Sequence, residues 1–82
     1  MNQIKVLFFA TLRDYVGART LDLELPACAT VAGLKTLLEE KFPSLAPARA
    51  SIMTAVNQEY AADEQVIPPG AEIAFFPPVS GG

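Results

Sequence analysis

Two stretches near the start of the chain alternate apolar and polar residues with the two-residue period of a β-strand. Residues 4–10 have one face of three bulky apolar side chains, Ile4, Val6 and Phe8. Lys5, Leu7 and Phe9 lie on the opposite face, and the charge of Lys5 predicts that this face is the solvent side. Residues 19–25 place three leucines on one face, at positions 21, 23 and 25, before Pro26 ends the strand. The two strands are predicted to form an antiparallel hairpin, with Thr11 capping a single helical turn between them that Gly17 ends.

The helical period of 3.6 residues appears over residues 31–42. An apolar stripe runs along this segment and consists of Val31, Leu34, Leu37, Leu38 and Phe42. The remaining long or polar side chains are predicted to face water; they are Lys35, Thr36, Glu39, Glu40 and Lys41. Thr30 is a good N-cap, and Pro43 prevents the helix from continuing. The segment is therefore predicted to be the main helix, followed by a loop over residues 43–51.

Three further strand signals follow the helix. Residues 51–56 form a short apolar strand, Asn57-Gln58 is a turn, and residues 59–61 suit a brief return strand. Pro68-Pro69-Gly70-Ala71 fits a type II turn, with Gly70 supplying the positive φ. The last strand, residues 72–76, is predicted to turn Ile73 and Phe75 to one face and Phe76 to the other.

This order of elements predicts an α+β domain in which the main helix packs on one face of a mixed sheet of about five strands. Placing the first and last strands side by side in the centre makes them parallel, and the connection through the helix is then a right-handed crossover. That is the β-grasp arrangement of ubiquitin-like proteins. Residues 1–76 are predicted to form the domain and residues 77–82 a flexible tail.

Composition narrows the classes of function. The 82 residues make one small domain, and the net charge of −3 argues against nucleic acid as a partner. No apolar run approaches the roughly 20 residues of a membrane span, and no signal peptide is expected. Cys28 has no second cysteine to pair with, which suits a reducing cytoplasm. Histidine is absent, which disfavours a free-standing hydrolase and most zinc sites.

The last residues of the chain carry the candidate chemistry. Pro77 and Pro78 fix φ and favour an extended course away from the sheet. Gly81 and Gly82 have no Cβ, so they can thread a narrow channel. We expect the working group to be a free carboxylate on Gly82. The simpler alternative is a floppy end that happens to finish on two glycines.

Three segments carry a resemblance to a known family: residues 4–10, the turn Ala55-Val56-Asn57-Gln58, and the ending Ala74-Phe75-Phe76-Pro77-Pro78-Val79-Ser80-Gly81-Gly82. The chain resembles the small subunits of molybdopterin synthase, the MoaD type of the MoaD/ThiS sulfur carriers. The resemblance runs from end to end. One departure is Pro68-Pro69-Gly70-Ala71, where the family often has Gly-Asp, although the turn chemistry is kept.

The resemblance implies a sulfur carrier that is not an enzyme by itself. An activating adenylyltransferase of the MoeB type, using ATP and magnesium, would adenylate the Gly82 carboxylate, and a sulfur-donor protein would convert it to a thiocarboxylate. The carrier itself would bind no cofactor and no metal. Docked on the large subunit in an assembly of two small and two large subunits, it would give sulfur to cyclic pyranopterin monophosphate in molybdenum cofactor biosynthesis.

Docking also needs a surface. Adjacent first and last strands would place Leu7, Phe9 and Phe76 on the face away from the helix, with Arg13 and Tyr60 near them. The tail residues Phe76, Pro77, Pro78, Val79 and Ser80 are predicted to contact the partner as well. The alternative is that loops cover these side chains and make them part of the core. Cys28 is expected to be inert, and Asp63 and Glu64 to be solvated.

Three rival functions stay open at this point. The carrier could instead serve thiamin thiazole synthesis. It could be a ubiquitin-like modifier that joins the same activated Gly82 to lysines of other proteins. It could also be a passive binding module, in which case adding residues after Gly82 would be harmless.

Overall fold

A five-stranded mixed sheet covered on one face by helices makes up the computed structural model of the protein, which describes residues 2–77 apart from the side chains of residues 48–50. The strands are β1 (Asn2–Phe8), β2 (Thr20–Leu25), β3 (Met53–Val56), β4 (Glu59–Tyr60) and β5 (Glu72–Phe76). The helices are α1 (Thr11–Val16) and α2 (Val31–Lys41), and a 3₁₀ segment covers Pro43–Ser51. The strand order β2-β1-β5-β3-β4 confirms the predicted β-grasp fold.

The first and last strands lie next to each other at the centre of the sheet, as predicted. They run parallel, with Val6 opposite Ile73 and Phe8 opposite Phe75. β2 is antiparallel to β1 on one side, and β3 is antiparallel to β5 on the other. Because the chain alternates from face to face along each strand, this register puts the bulky residues of β1 and β5 in one layer.

That layer forms the core against α2. The most completely buried side chains come from the central strands, from the helix stripe and from α1; they are Val6, Ile73, Phe75, Val31, Leu34 and Leu12. Leu38 is buried with them, while Leu37 and Phe42 pack at the margin. Burial of one such side chain stabilises the fold by about 1.5–3 kcal/mol, so this single layer supplies most of the stability. The helix begins as predicted, since the Thr30 hydroxyl accepts a hydrogen bond from the Gly33 amide at 3.1 Å.

No helix in residues 2–77 is long and apolar enough to cross a membrane. The predicted tail beyond Pro77 lies outside the described residues, so the division into a domain of residues 1–76 and a tail of residues 77–82 stays a prediction.

The start of α1 differs from its prediction. Thr11 is the first residue of the helix, and Ala10 occupies the cap position without a side-chain hydrogen bond. Ala10 has φ 53° and ψ −130°, and the Leu12 amide donates to the Phe9 carbonyl at 3.2 Å. This sharp reversal after β1 leaves no room for a capping residue of extended backbone. The other end is as predicted, with Gly17 at φ 80°.

The clearest error of the sequence pattern is its prediction for Lys35. The residue was expected to face water, yet it is only 8% exposed. Its stem lines a small cavity beside Phe8 and Phe75, and its ammonium lies 2.8 Å from a carboxylate oxygen of Asp63. Asp63 is 28 positions away in the chain, so the helical period of α2 contains no sign of this partner.

The predicted loop over residues 43–51 is also wrong, because this segment is a 3₁₀ helix. Leu45 explains the regular structure, since it is buried and its amide donates to the Phe42 carbonyl at 2.9 Å. The Ser44 hydroxyl donates to the Tyr15 carbonyl at 3.1 Å and ties the segment to α1. The strand that follows therefore begins at Met53 rather than Ser51.

One buried hydroxyl lacks a hydrogen-bond partner within the described residues. Thr54 is 4% exposed and lies opposite Phe75 across β3 and β5. Valine has the same branched shape, so Thr54→Val is expected to raise the free energy of unfolding by about 1 kcal/mol and the Tm by about 4–8 °C. Urea and thermal unfolding measure the change. Thr20→Val, at an exposed position of β2, is the control and should change stability little; a loss of stability in Thr54→Val would show that the hydroxyl has a partner.

Candidate functional site

The face of the sheet away from α2 is the candidate site. No helix covers it within residues 2–77, so the outward side chains of the two central strands reach solvent. These are chiefly apolar near the ends of β1 and β5, where Leu7 and Phe76 are half-buried and Phe9 is 43% exposed. Apolar residues grouped on a free sheet face are typical of protein interaction surfaces. The alternative that loops cover these side chains is therefore wrong for Phe9.

Phe9 and Phe76 form the centre of this face. Their rings stack with centroids 4.8 Å apart and planes 10° from parallel. The Phe9 amide donates to the Phe75 carbonyl at 3.2 Å, which holds the end of β1 against the end of β5. Each ring keeps water from one face of the other and leaves an outer face free. The pair lies directly before Pro77, so an exposed aromatic surface marks the base of the tail.

A depression of about 350 Å³ opens beside the aromatic pair. We call it the docking depression, and its lining is mainly apolar with a polar rim: Leu7, Phe9, Ala55, Ala74 and Phe76 form the floor, and Gln58, Tyr60 and Glu72 form the rim. Tyr60 is 74% exposed, which leaves most of its ring available to a partner. An apolar centre with a polar border is the usual anatomy of a protein interface.

The sheet face becomes polar away from the depression. Lys5 lies between Asp22 on β2 and Glu72 on β5, its partners in the two strand registers. Two carboxylates therefore flank this lysine, so this end of the face lacks the cluster of basic residues that phosphate binding needs. The apolar end next to the tail is the part suited to bind another protein.

The structure brings together four of the six predicted docking residues that it describes, and Arg13 and Pro77 are the two that do not line the depression. Leu7, Phe9, Tyr60 and Phe76 line one depression. Arg13 does not line it; it lies within α1 and, together with Arg19, lines a separate shallow hollow. The predictions for Pro78, Val79, Ser80, Gly81 and Gly82 fall outside the described residues. The binding roles themselves stay predictions.

Sequence reasoning missed the contribution of the β3–β4 turn to this face. Asn57 and Gln58 both have positive φ, 50° and 72°, as a two-residue hairpin turn requires. The Asn57 side chain accepts a hydrogen bond from the Glu72 amide at 3.0 Å, and the Asn57 amide donates to the Glu72 carbonyl at 2.8 Å. These bonds hold the turn against β5 and place Gln58 at the rim. The pairing of β3 with β5 that does this is not local, so the Asn-Gln signal alone could not show it.

Other candidates for chemistry lie elsewhere. Cys28 is exposed in the connection between β2 and α2. In the part of the chain that the structure describes, no group of three histidine, cysteine, aspartate or glutamate residues is placed to hold a metal ion. Asp63 is not simply solvated, because it pairs with Lys35. The described residues thus offer a binding surface at the base of a tail.

Comparison with known proteins agrees with this description. The family model described as "ThiS family" matches residues 6–82. A molybdopterin synthase sulfur carrier subunit from Arabidopsis thaliana is 39% identical over 80 residues, covering 98% of this chain and 83% of the relative. The human protein of the same name is 39% identical over 83 residues, covering 98% of this chain and 94% of the relative.

Solved structures share the fold. SAMP1 from Haloferax volcanii superposes with a TM-score of 0.84 at 31% identity and covers 98% of this chain and 99% of that chain. A chain in a complex of subunits 1 and 2 of molybdopterin-converting factor from Helicobacter pylori has a TM-score of 0.70 at 21% identity, covering 98% of this chain and 99% of that one. The second similarity supports the fold alone.

Proposed function

The chain belongs to the ThiS family, and we propose that it is the sulfur-carrier subunit of a molybdopterin synthase. The observation that carries the proposal is similarity over nearly the whole chain to relatives of that name, at 39% identity. The exposed aromatic surface directly before Pro77 supports it, because a carrier needs a docking face next to its reactive end. The chain is the non-catalytic subunit in this scheme, and the partner supplies the catalytic groups.

The reactive group in this proposal is the carboxylate of Gly82. A carboxylate is a poor electrophile because its charge repels nucleophiles and oxide leaves badly. Its oxygen attacks the α-phosphate of ATP, pyrophosphate leaves, and the resulting acyl-adenylate has a good leaving group. Sulfide delivered by a donor protein then displaces AMP, which leaves a thiocarboxylate. An activating enzyme of the MoeB type binds the ATP and magnesium, and Gly81 gives the slim approach that its channel needs.

The docking depression and the tail have separate functions in the sulfur-transfer step. The depression binds the outer surface of the large subunit, while the tail enters its active site. Five extended residues from Pro78 onward reach at most about 16–18 Å, enough for Gly82 to enter a buried site while the sheet stays outside. The thiocarboxylate sulfur then bonds to a carbon of the pterin precursor, cyclic pyranopterin monophosphate, and the C–O bond at that carbon breaks with its electron pair leaving on the oxygen. Water cleaves the resulting thioester, which leaves the sulfur on the pterin and returns the Gly82 carboxylate. We place this cycle in the cytoplasm, where a free thiol such as Cys28 stays reduced.

Intact-mass spectrometry tests this function. The chain is incubated with a MoeB-type enzyme, ATP, magnesium and a sulfur source, and the expected mass gain is that of one oxygen replaced by sulfur at the C-terminus. A variant that lacks Gly82 is the matched control and should show no gain. The proposal fails if an active enzyme leaves the parent chain unchanged, or if the shortened chain supports full molybdopterin synthesis.

A second function is favoured by the similarity to SAMP1, which is 31% identical and is described as a small archaeal modifier protein. A ubiquitin-like modifier would use the same activated Gly82 but pass it to lysines of other proteins. Incubating the activated chain in a cell lysate separates the two functions. A ladder of covalent adducts indicates conjugation, whereas sulfur transfer leaves a single small species. Restoration of thiamin thiazole synthesis in a carrier-deficient strain would instead identify the other branch of the family.

A further inference from the structure

We propose that Gln58 is a specificity-determining residue of the docking depression, and that its carboxamide pairs with the main-chain N–H and C=O of one residue of the protein that covers the depression. The inference rests on the proposed function, since that protein is the large subunit of the synthase. It assigns a recognition role to a turn residue, beyond the apolar surface and the tail.

The backbone at Gln58 is unfavourable for glutamine. Its φ of 72° lies in the left-handed region, and glycine is the residue that hairpin turns of this kind prefer at the second position. Asn57, the first turn residue, is different, because asparagine tolerates positive φ and its side chain bonds the Glu72 amide. Folding therefore accounts for Asn57 but disfavours Gln58, and strained positions of this kind tend to occur at functional sites.

The side chain of Gln58 makes no stabilising contact that would explain it within the described residues. It is exposed, and in residues 2–77 its carboxamide has no hydrogen-bond partner. It lies at the rim of the depression, next to a floor that includes Ala55 and Phe76. A partner that covers this floor meets Gln58 at its border, where the carboxamide is available to bond it.

The chemistry of the side chain indicates what that partner group is. A carboxamide carries N–H donors and a carbonyl acceptor, the same pair that a peptide group presents. Gln58 can therefore bond the main-chain N–H and C=O of one extended residue of the large subunit, because these two groups project to the same side of an extended chain. The rigid hairpin turn, held by Asn57 to Glu72, fixes where this pair of bonds forms. Such a contact sets the register of docking, which apolar contacts alone leave loose.

The substitutions Gln58→Met, Gln58→Gly and Gln58→Glu test the role, with affinity for the purified large subunit measured by calorimetry. Gln58→Met keeps the length and the backbone strain but removes the hydrogen bonds, and we expect affinity to fall about three- to tenfold. Gln58→Gly should weaken binding as much while raising the Tm, since it relieves the strain. Opposite changes in binding and stability are not produced by a merely structural role. Gln65→Met, at an exposed position in the loop before Ile67, is the matched control and should bind like the parent chain.

Each other outcome contradicts either the role of Gln58 or the proposed function. Parent-like affinity in Gln58→Met overturns the recognition role while the proposed function stands. Tighter binding by Gln58→Glu would mean that the facing group is a lysine or arginine, which overturns the peptide-group assignment. If the parent chain itself does not bind the large subunit, the proposed function fails and this inference fails with it.

Discussion

Phe76→Ala is expected to weaken binding to the large subunit about 30-fold or more. Phe76 lines the docking depression, stacked on Phe9 and directly before the tail. Aromatic anchors at the centre of an interface typically contribute 2 kcal/mol or more, and about 1.4 kcal/mol corresponds to a factor of ten in affinity. Loss of this ring also frees the Phe9 ring that it holds, so both anchors are affected.

The cost to folding should be smaller than the cost to binding. Phe76 is half-buried on the open face, unlike its neighbour Phe75, which is 1% exposed in the core. Because Phe76→Ala removes the stacked pair and the area it covers, we expect it to lower the free energy of unfolding by about 1–2 kcal/mol. Phe75→Ala should lower it by about 3–5 kcal/mol. Urea unfolding and calorimetry with the large subunit, below the Tm of every variant, separate the two effects.

Phe42→Ala provides the control for this prediction. Phe42 is a half-buried phenylalanine like Phe76, but it packs at the end of α2 on the opposite layer. It should lose a similar amount of stability and keep the affinity of the parent chain. Equal loss of affinity in the two variants would show that general destabilisation, rather than the docking depression, weakens binding.

The sequence predicts the elements that depend on neighbouring residues. Leu21, Leu23 and Leu25 alternate with polar residues, and this pattern alone determines which face of β2 packs on the core. The same holds for the stripe of α2 and for the Thr30 cap. The shared face of Leu7, Phe9 and Phe76 needed one further step, the parallel pairing of β1 and β5, which follows from the order of elements.

What the sequence does not predict depends on contacts between distant parts of the chain. Arg13 is separated from the docking depression by the path of α1, which no local pattern reveals. Gln58 reaches the rim only because β3 pairs with β5. Residues 43–51 become helical because Leu45 finds a place in the core. A polar residue such as Lys35 is the hardest case. Its position, four residues after Val31, lies on the buried side of α2, but its charge predicts exposure, and its partner Asp63 is distant in the chain.

The pair formed by Lys35 and Asp63 carries the second large prediction. The lysine side chain is 9% exposed and the aspartate side chain 55% exposed, and the two charged atoms are 2.8 Å apart. Asp63→Ala removes the carboxylate and leaves a buried ammonium group. Breaking a fully buried ion pair lowers the free energy of unfolding by about 3–5 kcal/mol. Because Asp63 is partly exposed to water, we expect a smaller loss of about 1.5–3 kcal/mol. Urea unfolding at neutral pH measures the loss.

The backbone contacts of the loop should survive this substitution. The Asp63 carbonyl accepts a hydrogen bond from the Ala32 amide at 2.9 Å, and the Gln65 carbonyl accepts one from Val31 at 3.0 Å. Neither bond involves the side chain of Asp63, so the loop stays attached to the start of α2. The measured loss therefore reports the unpaired lysine rather than release of the loop.

Lys35→Met separates two contributions to the free energy of unfolding: the attraction between the two charges, and the penalty for leaving the buried lysine without its partner. Methionine keeps a flexible apolar stem beside Phe8 and Phe75 and has no charge to leave unpaired. Replacing a buried ion pair with apolar groups is often neutral, so this variant should stay within about 1 kcal/mol of the parent chain. Adding Asp63→Ala to it should then cost almost nothing. If Lys35→Met instead loses as much as Asp63→Ala, the attraction between the two charges itself stabilises the fold, and the pair is more than a satisfied buried charge.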